Sequence, residues 1–175
     1  MLKQVKIWFS LAVLVALLSS CTVTFLPSDV SISGRVRFGI ELNDVISDFR
    51  PDRGAGASYR VGDSIGFLIR TNQSGYVTLT EIDPYGNVQT FGRNIAVGAG
   101  TTVINGPDAR SEFAVGSSSV SGLHRVRVSF TPSPTDTTRV TYRGVIGEDG
   151  WTNIIVTDVT PYNIRDIAET TYYIQ

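Results

Sequence analysis

Apolar and polar residues alternate along several short stretches of the chain, which is the pattern of a strand with one face toward a core. The clearest stretch is RVRFGIEL, residues 35–42, whose apolar positions are Val36, Phe38, Ile40 and Leu42. Similar stretches are SIGFLIRT, GYVTLTEI, VQTFGR, HRVRVSF, RVTYRGVIG, NIIVTDV and ETTYYIQ. The segment YNIRDIAE, residues 162–169, is the best candidate for a turn of helix. The pattern therefore predicts a fold made almost wholly of strands.

Turn-forming residues separate these stretches at intervals of roughly 8–12 residues, as in β-sandwiches and barrels. Asn43-Asp44 predicts a tight turn that pairs the first strand with VISDFR, residues 45–50. Asn72–Gly75 and Asp83–Asn87 predict further turns of a meander, the second with Pro and Gly where a type I turn accepts them. We expect an all-β fold, an antiparallel Ig-like β-sandwich, because long strands of even length that would close a barrel do not recur.

The N-terminal residues have the three zones of a signal peptide. Lys3 and Lys6 precede an apolar run from Ile7 to Leu18, which is shorter than the about 20 residues that a helix needs to cross a bilayer. Leu18-Ser19-Ser20-Cys21 resembles the lipobox at which bacterial lipoprotein signal peptides are cut. We therefore predict a cleaved signal peptide at residues 1–20, a lipidated N-terminus and tether at 21–33, and a β-sandwich domain at 34–175.

This resemblance implies that Cys21 carries acyl chains such as palmitate, which anchor the protein to a membrane. Thr22 follows Cys21, and lipoproteins of two-membrane bacteria that lack Asp at this position are usually sent to the outer membrane. The expected location is the cell outer membrane, with the domain facing the periplasm or the exterior. Two alternatives stay open: an ordinary secretory cleavage site at Cys21, and a secreted protein without lipid.

Composition excludes some classes of function. Cys21 is the one cysteine, so neither an intramolecular disulfide nor a thiolate metal site is available. The formal net charge is −1, and loss of Lys3 and Lys6 with the leader takes it to −3. Nucleic-acid binding needs a basic face that releases counterions from phosphates, so this charge balance speaks against nucleic acid as a partner.

Candidate catalytic residues are few. His124 is the one histidine, and we expect it to be a surface or strand-end residue, because the chain has no Gly-x-Ser-x-Gly elbow to supply a nucleophile. Glu81 and Asp83 could form a pair of carboxylates, but Asp83-Pro84 is explained more simply as the start of a turn. The sequence therefore predicts no catalytic residues and no cofactor.

A metal site is not predicted either. Calcium is conceivable, since it takes only oxygen ligands. The candidate oxygens are those of Asp44, Asp48, Asp52 and Glu148-Asp149. None of these matches the spacing of a calcium loop, and solvated loop carboxylates explain them better.

Two features indicate binding. Arg35 with Arg37, and Arg125 with Arg127, each place two guanidinium groups on the wet face of a predicted strand. Neighbouring strands would join them into a patch for carboxylate or phosphate, although an ordinary polar face is the simpler interpretation. Tyr172 and Tyr173 point to opposite faces of their strand, so one is expected in the core and Tyr173 is the candidate interface anchor.

The segment from Tyr59 to Asn94 resembles a bacterial family known only as a domain of unknown function. The residues that carry the resemblance are Gly62-Asp63, Gly75-Tyr76, Gly86-Asn87-Val88, Phe91 and Asn94, with a looser fit at Gly98-Ala99-Gly100 and Phe113-Ala114-Val115. The resemblance implies an envelope or secreted β-sandwich module, often lipid-anchored. It implies no catalytic residues.

Together these observations predict a non-enzymatic lipoprotein of the outer membrane. Its sandwich would act as a structural or interaction domain that holds or recognises another envelope protein or a surface-layer component. The alternative is a polysaccharide-binding or hydrolase accessory protein of the envelope. That alternative requires Glu81, Asp83, Trp151 and the tyrosines to converge on a cleft or a flat platform.

Overall fold

The computed structural model describes residues 36–37, 39–136 and 147–175. The described residues do not include the predicted leader, the tether with Cys21, Arg35, or residues 139–146 of the predicted strand RVTYRGVIG. All described residues belong to one compact unit, Gly34–Gln175.

Ten strands and one helix make up the described part of the chain. In chain order they are β1 (Val36–Arg37), β2 (Ile40–Glu41), β3 (Ile46–Pro51), β4 (Ala57–Tyr59), β5 (Phe67–Thr71), β6 (Gly75–Ile82), β7 (Val88–Val97), β8 (Gly100–Ile104), β9 (Gly122–Thr131), α1 (Gly147–Val159) and β10 (Asp166–Ile174). A five-stranded sheet has the order β4-β10-β9-β6-β7, and a three-stranded sheet has the order β3-β5-β8. β1 and β2 pair with each other.

The two larger sheets stack on a common apolar core. Phe49, Phe67 and Ile69 come from the smaller sheet, and Val128 and Phe130 from the larger one. Alternation places these side chains on facing surfaces, as expected for sheets packed face to face. The prediction of an all-β sandwich is therefore confirmed at the level of two packed β-sheets.

The larger sheet is not wholly antiparallel. β10 lies between β9, with which it pairs antiparallel, and β4, with which it pairs in parallel. The sequence pattern missed β4, which has three residues, and β8, which follows a Gly-rich loop. Two neighbouring parallel strands need a long connection between them. Here the chain that connects β4 to β10 makes up most of the domain.

The predicted first hairpin is wrong. Within RVRFGIEL the chain turns back at Gly39, where φ is +75°, so that β1 pairs with β2. The strand in VISDFR, β3, pairs with β5. Asn43 and Asp44 lie in the irregular segment that leads from β2 into the smaller sheet, and Asp44 has a φ of +50°.

The two segments near the C-terminus exchange their predicted structures. NIIVTDV lies in α1, although its β-branched residues favour a strand. YNIRDIAE instead runs from a loop into β10. Tertiary packing explains the helix: Trp151, Asp158 and Val159 are buried, and their spacing of seven to eight residues places them on one helical face.

α1 forms a third layer on the outer face of the five-stranded sheet. Trp151 and Val159 pack there with Ile82, Val88 and Ile167. No helix among the described residues is both long and apolar enough to cross a membrane.

Candidate functional site

A cavity of about 610 Å³ lies between the two sheets at one end of the sandwich. Phe67, Tyr172 and Ile174 are buried residues in its wall. Asn87, Gln89 and Ser118 are exposed residues of its lining, so the cavity opens to solvent. Pockets of about 300–1,000 Å³ are the size that takes small ligands.

Glu81 is the central polar group of this cavity. It lies near the end of β6 and is 5% exposed. Its Oε1 atom accepts hydrogen bonds from the Tyr172 hydroxyl at 2.7 Å and from Nδ1 of His124, and its Oε2 atom accepts one from Nε2 of Gln89 at 2.8 Å. Three donors from three strands therefore converge on one buried carboxylate.

His124 uses both ring nitrogens in this arrangement. Nε2 lies 2.7 Å from the Val120 carbonyl oxygen, which can only accept, so Nε2 carries a proton. Nδ1 faces Glu81 and donates to its carboxylate. An imidazolium at His124 paired with an ionised Glu81 satisfies both contacts.

The pKa values of the pair agree with this assignment. Burial acts to raise the pKa of Glu81, but the hydrogen bonds from His124, Tyr172 and Gln89 outweigh it and hold that pKa below its ordinary value. Burial acts to lower the pKa of His124, but the hydrogen bonds to Glu81 and to the Val120 carbonyl, together with the negative charges of Glu81 and Asp83, outweigh it and raise that pKa. Each partner thus stabilises the charge of the other.

Tyr172 completes the cluster from β10. Its ring stacks on the His124 ring, with centroids 5.1 Å apart and planes 9° apart, and meets Tyr59 edge to face. Burial and the nearby Glu81 charge raise the pKa of Tyr172 far above its ordinary value. Tyr172 therefore stays a neutral donor to Glu81.

One side of the cavity is aromatic. Phe91 and Phe113 are half-buried and meet edge to face, with centroids 4.9 Å apart. Ser118 and Ser119 line the rim on the loop that leads to β9. The cavity thus combines an apolar side with amides and hydroxyls.

Asp83 also lines the cavity, and the structure explains it as a turn residue. Its carboxylate accepts hydrogen bonds from the backbone N–H groups of Tyr85 and Asn87, both at 2.8 Å, and from the Asn87 side chain at 2.7 Å. Burial acts to raise its pKa, and the bonds from Asn87 and Tyr85 outweigh this and lower it. Gly86 completes the turn with a φ of +83°, which glycine adopts without strain.

His124 lies near the start of β9, as the strand-end expectation had it, but the expectation of a surface residue is wrong. His124 is 3% exposed rather than a surface residue, because Leu123 takes the outward position and His124 the inward one as β9 begins. Sequence reasoning could not find its pairing with Glu81, since 43 residues separate them. It also missed Gln89 and Tyr172 as members of the same cluster.

The predicted arginine patch does not form on β9. Arg127 is 1% exposed, because α1 covers the face on which it lies. Its guanidinium lies 4.3 Å from the Trp151 ring centroid, and Nε donates to Glu169 at 2.6 Å. Arg125 also approaches Trp151, at 5.9 Å. The segment NIIVTDV, predicted as a strand, lies in α1, and α1 buries the face of β9 that was expected to be exposed to solvent.

The other arginine pair, Arg35 and Arg37, is described only through the backbone of Arg37. Arg35 is outside the described residues, and the side chain of Arg37 is not described. The backbone of Arg37 lies in β1, which pairs with β2 rather than with β9. The predicted joining of the two pairs across neighbouring strands is therefore not seen.

The remaining candidates are dispersed. Tyr172 is buried and Tyr173 is 44% exposed, as the alternation predicted, while a binding role for Tyr173 stays a prediction. Asp48 pairs with Arg50, and Asp52 accepts a hydrogen bond from Tyr59 at 2.5 Å. Across residues 39–136 and the described side chains beyond 147, no three His, Cys, Asp or Glu side chains come together as a metal site would require.

Comparison with known families bears on the middle of the chain. Residues 58–134 match the model of a family described as Domain of unknown function (DUF4384). The predicted resemblance is thereby confirmed. No curated protein and no solved structure matches the chain.

The DUF4384 region supplies β5 to β9 and most of the cavity. Tyr172 and Ile174 come from β10, beyond the matched residues, and β10 is an interior strand of the larger sheet. The folded unit that holds the cavity is therefore larger than the matched region.

The residues that carry the DUF4384 resemblance have structural roles. A Cβ atom at Gly75 would overlap the Phe130 ring and lie 2.7 Å from the Thr131 carbonyl oxygen. Asn94, with a φ of +54°, holds the loop after β9: its Oδ1 accepts from the backbone N–H of Thr135 at 2.7 Å. Packing and backbone conformation therefore explain these two positions of the motif, whereas Asn87 and Phe91 line the cavity.

Proposed function

We propose that this protein is an outer-membrane lipoprotein whose Ig-like β-sandwich is a non-catalytic module that recognises another envelope component. The observation that carries the recognition part is the solvent-open cavity with an aromatic side and a polar rim. The anchor part is supported by the lipobox-like residues Leu18 to Cys21 and by their place ahead of the domain.

The hydrogen bonds inside the cavity favour recognition over catalysis. A general acid or base has to offer its reactive atom to a substrate. Both oxygens of Glu81 and both ring nitrogens of His124 already have partners within the protein. The pair therefore supports the cavity wall and does not present a reactive group.

The second candidate function is an envelope polysaccharide-binding or hydrolase accessory protein. One observation favours it: Glu81 and Asp83 line the same cavity. Two observations weigh against the hydrolase part. Asp83 caps its own turn, and Trp151, a residue of α1, is fully buried against the larger sheet and does not line the cavity.

The anchor is tested by metabolic labelling with a fatty-acid analogue. The wild-type chain should be labelled and retained in outer-membrane fractions, whereas a Cys21→Ser variant should lose the label. Equal labelling of the two proteins refutes the anchor.

Recognition is tested separately by crosslinking in intact cells. An envelope component, either a protein or a glycan, should crosslink to residues at the cavity rim, and the Ser118→Trp variant should reduce that product. A protein that is recovered only as an uncrosslinked monomer contradicts the proposal.

A further inference from the structure

The charge of the cavity limits the ligands that it can hold. Glu81 and His124 neutralise each other, and the remaining charged group in the lining is Asp83. Among the described residues, the lining offers no unpaired cation to bind a carboxylate or a phosphate. An anionic ligand would be repelled by Asp83, so the site favours a ligand without negative charge.

The two sides of the cavity indicate a ligand with two different faces. Phe91 and Phe113 offer ring surface, which packs against C–H groups. Asn87, Gln89, Ser118 and Ser119 offer amides and hydroxyls, which both donate and accept hydrogen bonds. Pyranose rings have this division, with an apolar C–H face and a rim of hydroxyl groups.

The size of the cavity fits one or two such rings. A volume of about 610 Å³ lies inside the range of small-molecule pockets. The aromatic pair is held by the core, since Phe67 contacts both rings at centroid distances of 5.8 and 6.1 Å. The apolar side is therefore formed before the ligand arrives, which reduces the entropy lost on binding.

We propose that this cavity binds a neutral sugar unit of an envelope glycan, with the ring against Phe91 and Phe113 and its hydroxyls toward the amides and serines. The proposal rests on the proposed recognition function and gives the chemical class of the ligand. Glu81 acts as a positioning residue here, because it fixes the Gln89 amide at 2.8 Å.

The test is an NMR titration of the full chain in detergent. The probes are methyl α-D-glucopyranoside and methyl N-acetyl-β-D-glucosaminide, with D-glucuronate as the anionic comparison. At least one neutral probe should shift the amide signals of Phe113 and His124, with a Kd on the order of 1 mM. D-glucuronate should bind severalfold more weakly, because the like charge of Asp83 in the lining repels it.

Matched variants locate the binding. Ser118→Trp places a large ring in the cavity mouth and should weaken binding at least about tenfold, whereas Ser117→Trp, at an exposed neighbour outside the lining, should not change it. Gln89→Ala removes a rim amide and should weaken binding severalfold. This second variant tests the site even if the indole of Ser118→Trp turns toward solvent and leaves the cavity open.

Three results overturn the proposal. They are the absence of shifts with both neutral probes, shifts that persist unchanged in Ser118→Trp and Gln89→Ala, and binding of D-glucuronate at least as tight as that of the neutral probes. A crosslinked protein partner whose contact maps to this cavity would also refute the sugar assignment, while leaving the recognition function intact.

Discussion

Replacing His124 by Phe tests the buried pair most directly. Phe keeps a ring that can stack on Tyr172, but it removes the donor to Glu81 and leaves the carboxylate with two of its three donors. Removing one partner of a buried ion pair costs about 3–5 kcal/mol. We expect the lower end, about 3 kcal/mol, because Glu81 can take up a proton in the variant.

Urea unfolding, followed by the fluorescence of buried Trp151, measures this change. For an m value of about 2 kcal/mol/M, a loss of 3 kcal/mol lowers the midpoint by about 1.5 M. Tyr172→Phe removes one hydroxyl donor and serves as the graded control, with an expected loss of about 2 kcal/mol. A His124→Phe midpoint within about 0.25 M of the wild type refutes the ion pair.

The pH dependence gives a second test of the pair. The lowered pKa of Glu81 means that its contribution is present above about pH 4.3 and is lost as the pH falls through the folded-state value. The raised pKa of His124 means that its contribution is present below about pH 6.5 and is lost as the pH rises through the folded-state value. The cost of His124→Phe should therefore be greatest between these limits. Glu81→Gln added to His124→Phe should recover stability above pH 6.5, because it removes the unpaired charge.

Two further substitutions test the structural roles of the family motif. Gly75→Ala should destabilise the fold by about 1–3 kcal/mol, because its methyl group would overlap Phe130. Gly98→Ala is the control and should be nearly neutral, because no atom lies within 4 Å of the added methyl group. Equal thermal unfolding midpoints of the two variants would contradict this. Asn94→Gly keeps the left-handed backbone but removes the bonds to Thr135, so chemical unfolding should show a loss of about 1–3 kcal/mol, and an unchanged stability would mean that these bonds contribute nothing.

The sequence pattern predicted the strands whose alternation is governed by the common core. Ile65, Phe67 and Ile69 are buried as predicted, and so are Val126 and Val128. These residues lie on the apolar face of their strands and pack against the opposite sheet, so periodicity alone identifies them.

The pattern failed where a second layer covers the other face. Arg127 and Ser129 alternate with the buried valines, yet both are buried under α1 or its neighbours. A helix formed from β-branched residues has no local signal, since it depends on the packing of Trp151 against the sheet.

The candidate site could be predicted only in part. Glu81 and Asp83 were singled out as carboxylates near a strand end, and both line the cavity. Their partners depend on topology: β9 and β10 lie beside β6 and each other only because the sheet is assembled from distant segments. Register across such segments is not encoded in any short window of sequence.

The position of β10 has a consequence for how the chain matures. It leaves the ribosome after all the other described strands, yet it is an interior strand that pairs with β4 on one side and β9 on the other. Until it arrives, both neighbours expose unpaired backbone groups, and the wall of the cavity lacks Tyr172 and Ile174. Residues up to Ile174 must therefore have been synthesised before the larger sheet can close, and a nascent chain stopped short of Asp166 would hold neither a complete sandwich nor a formed pocket.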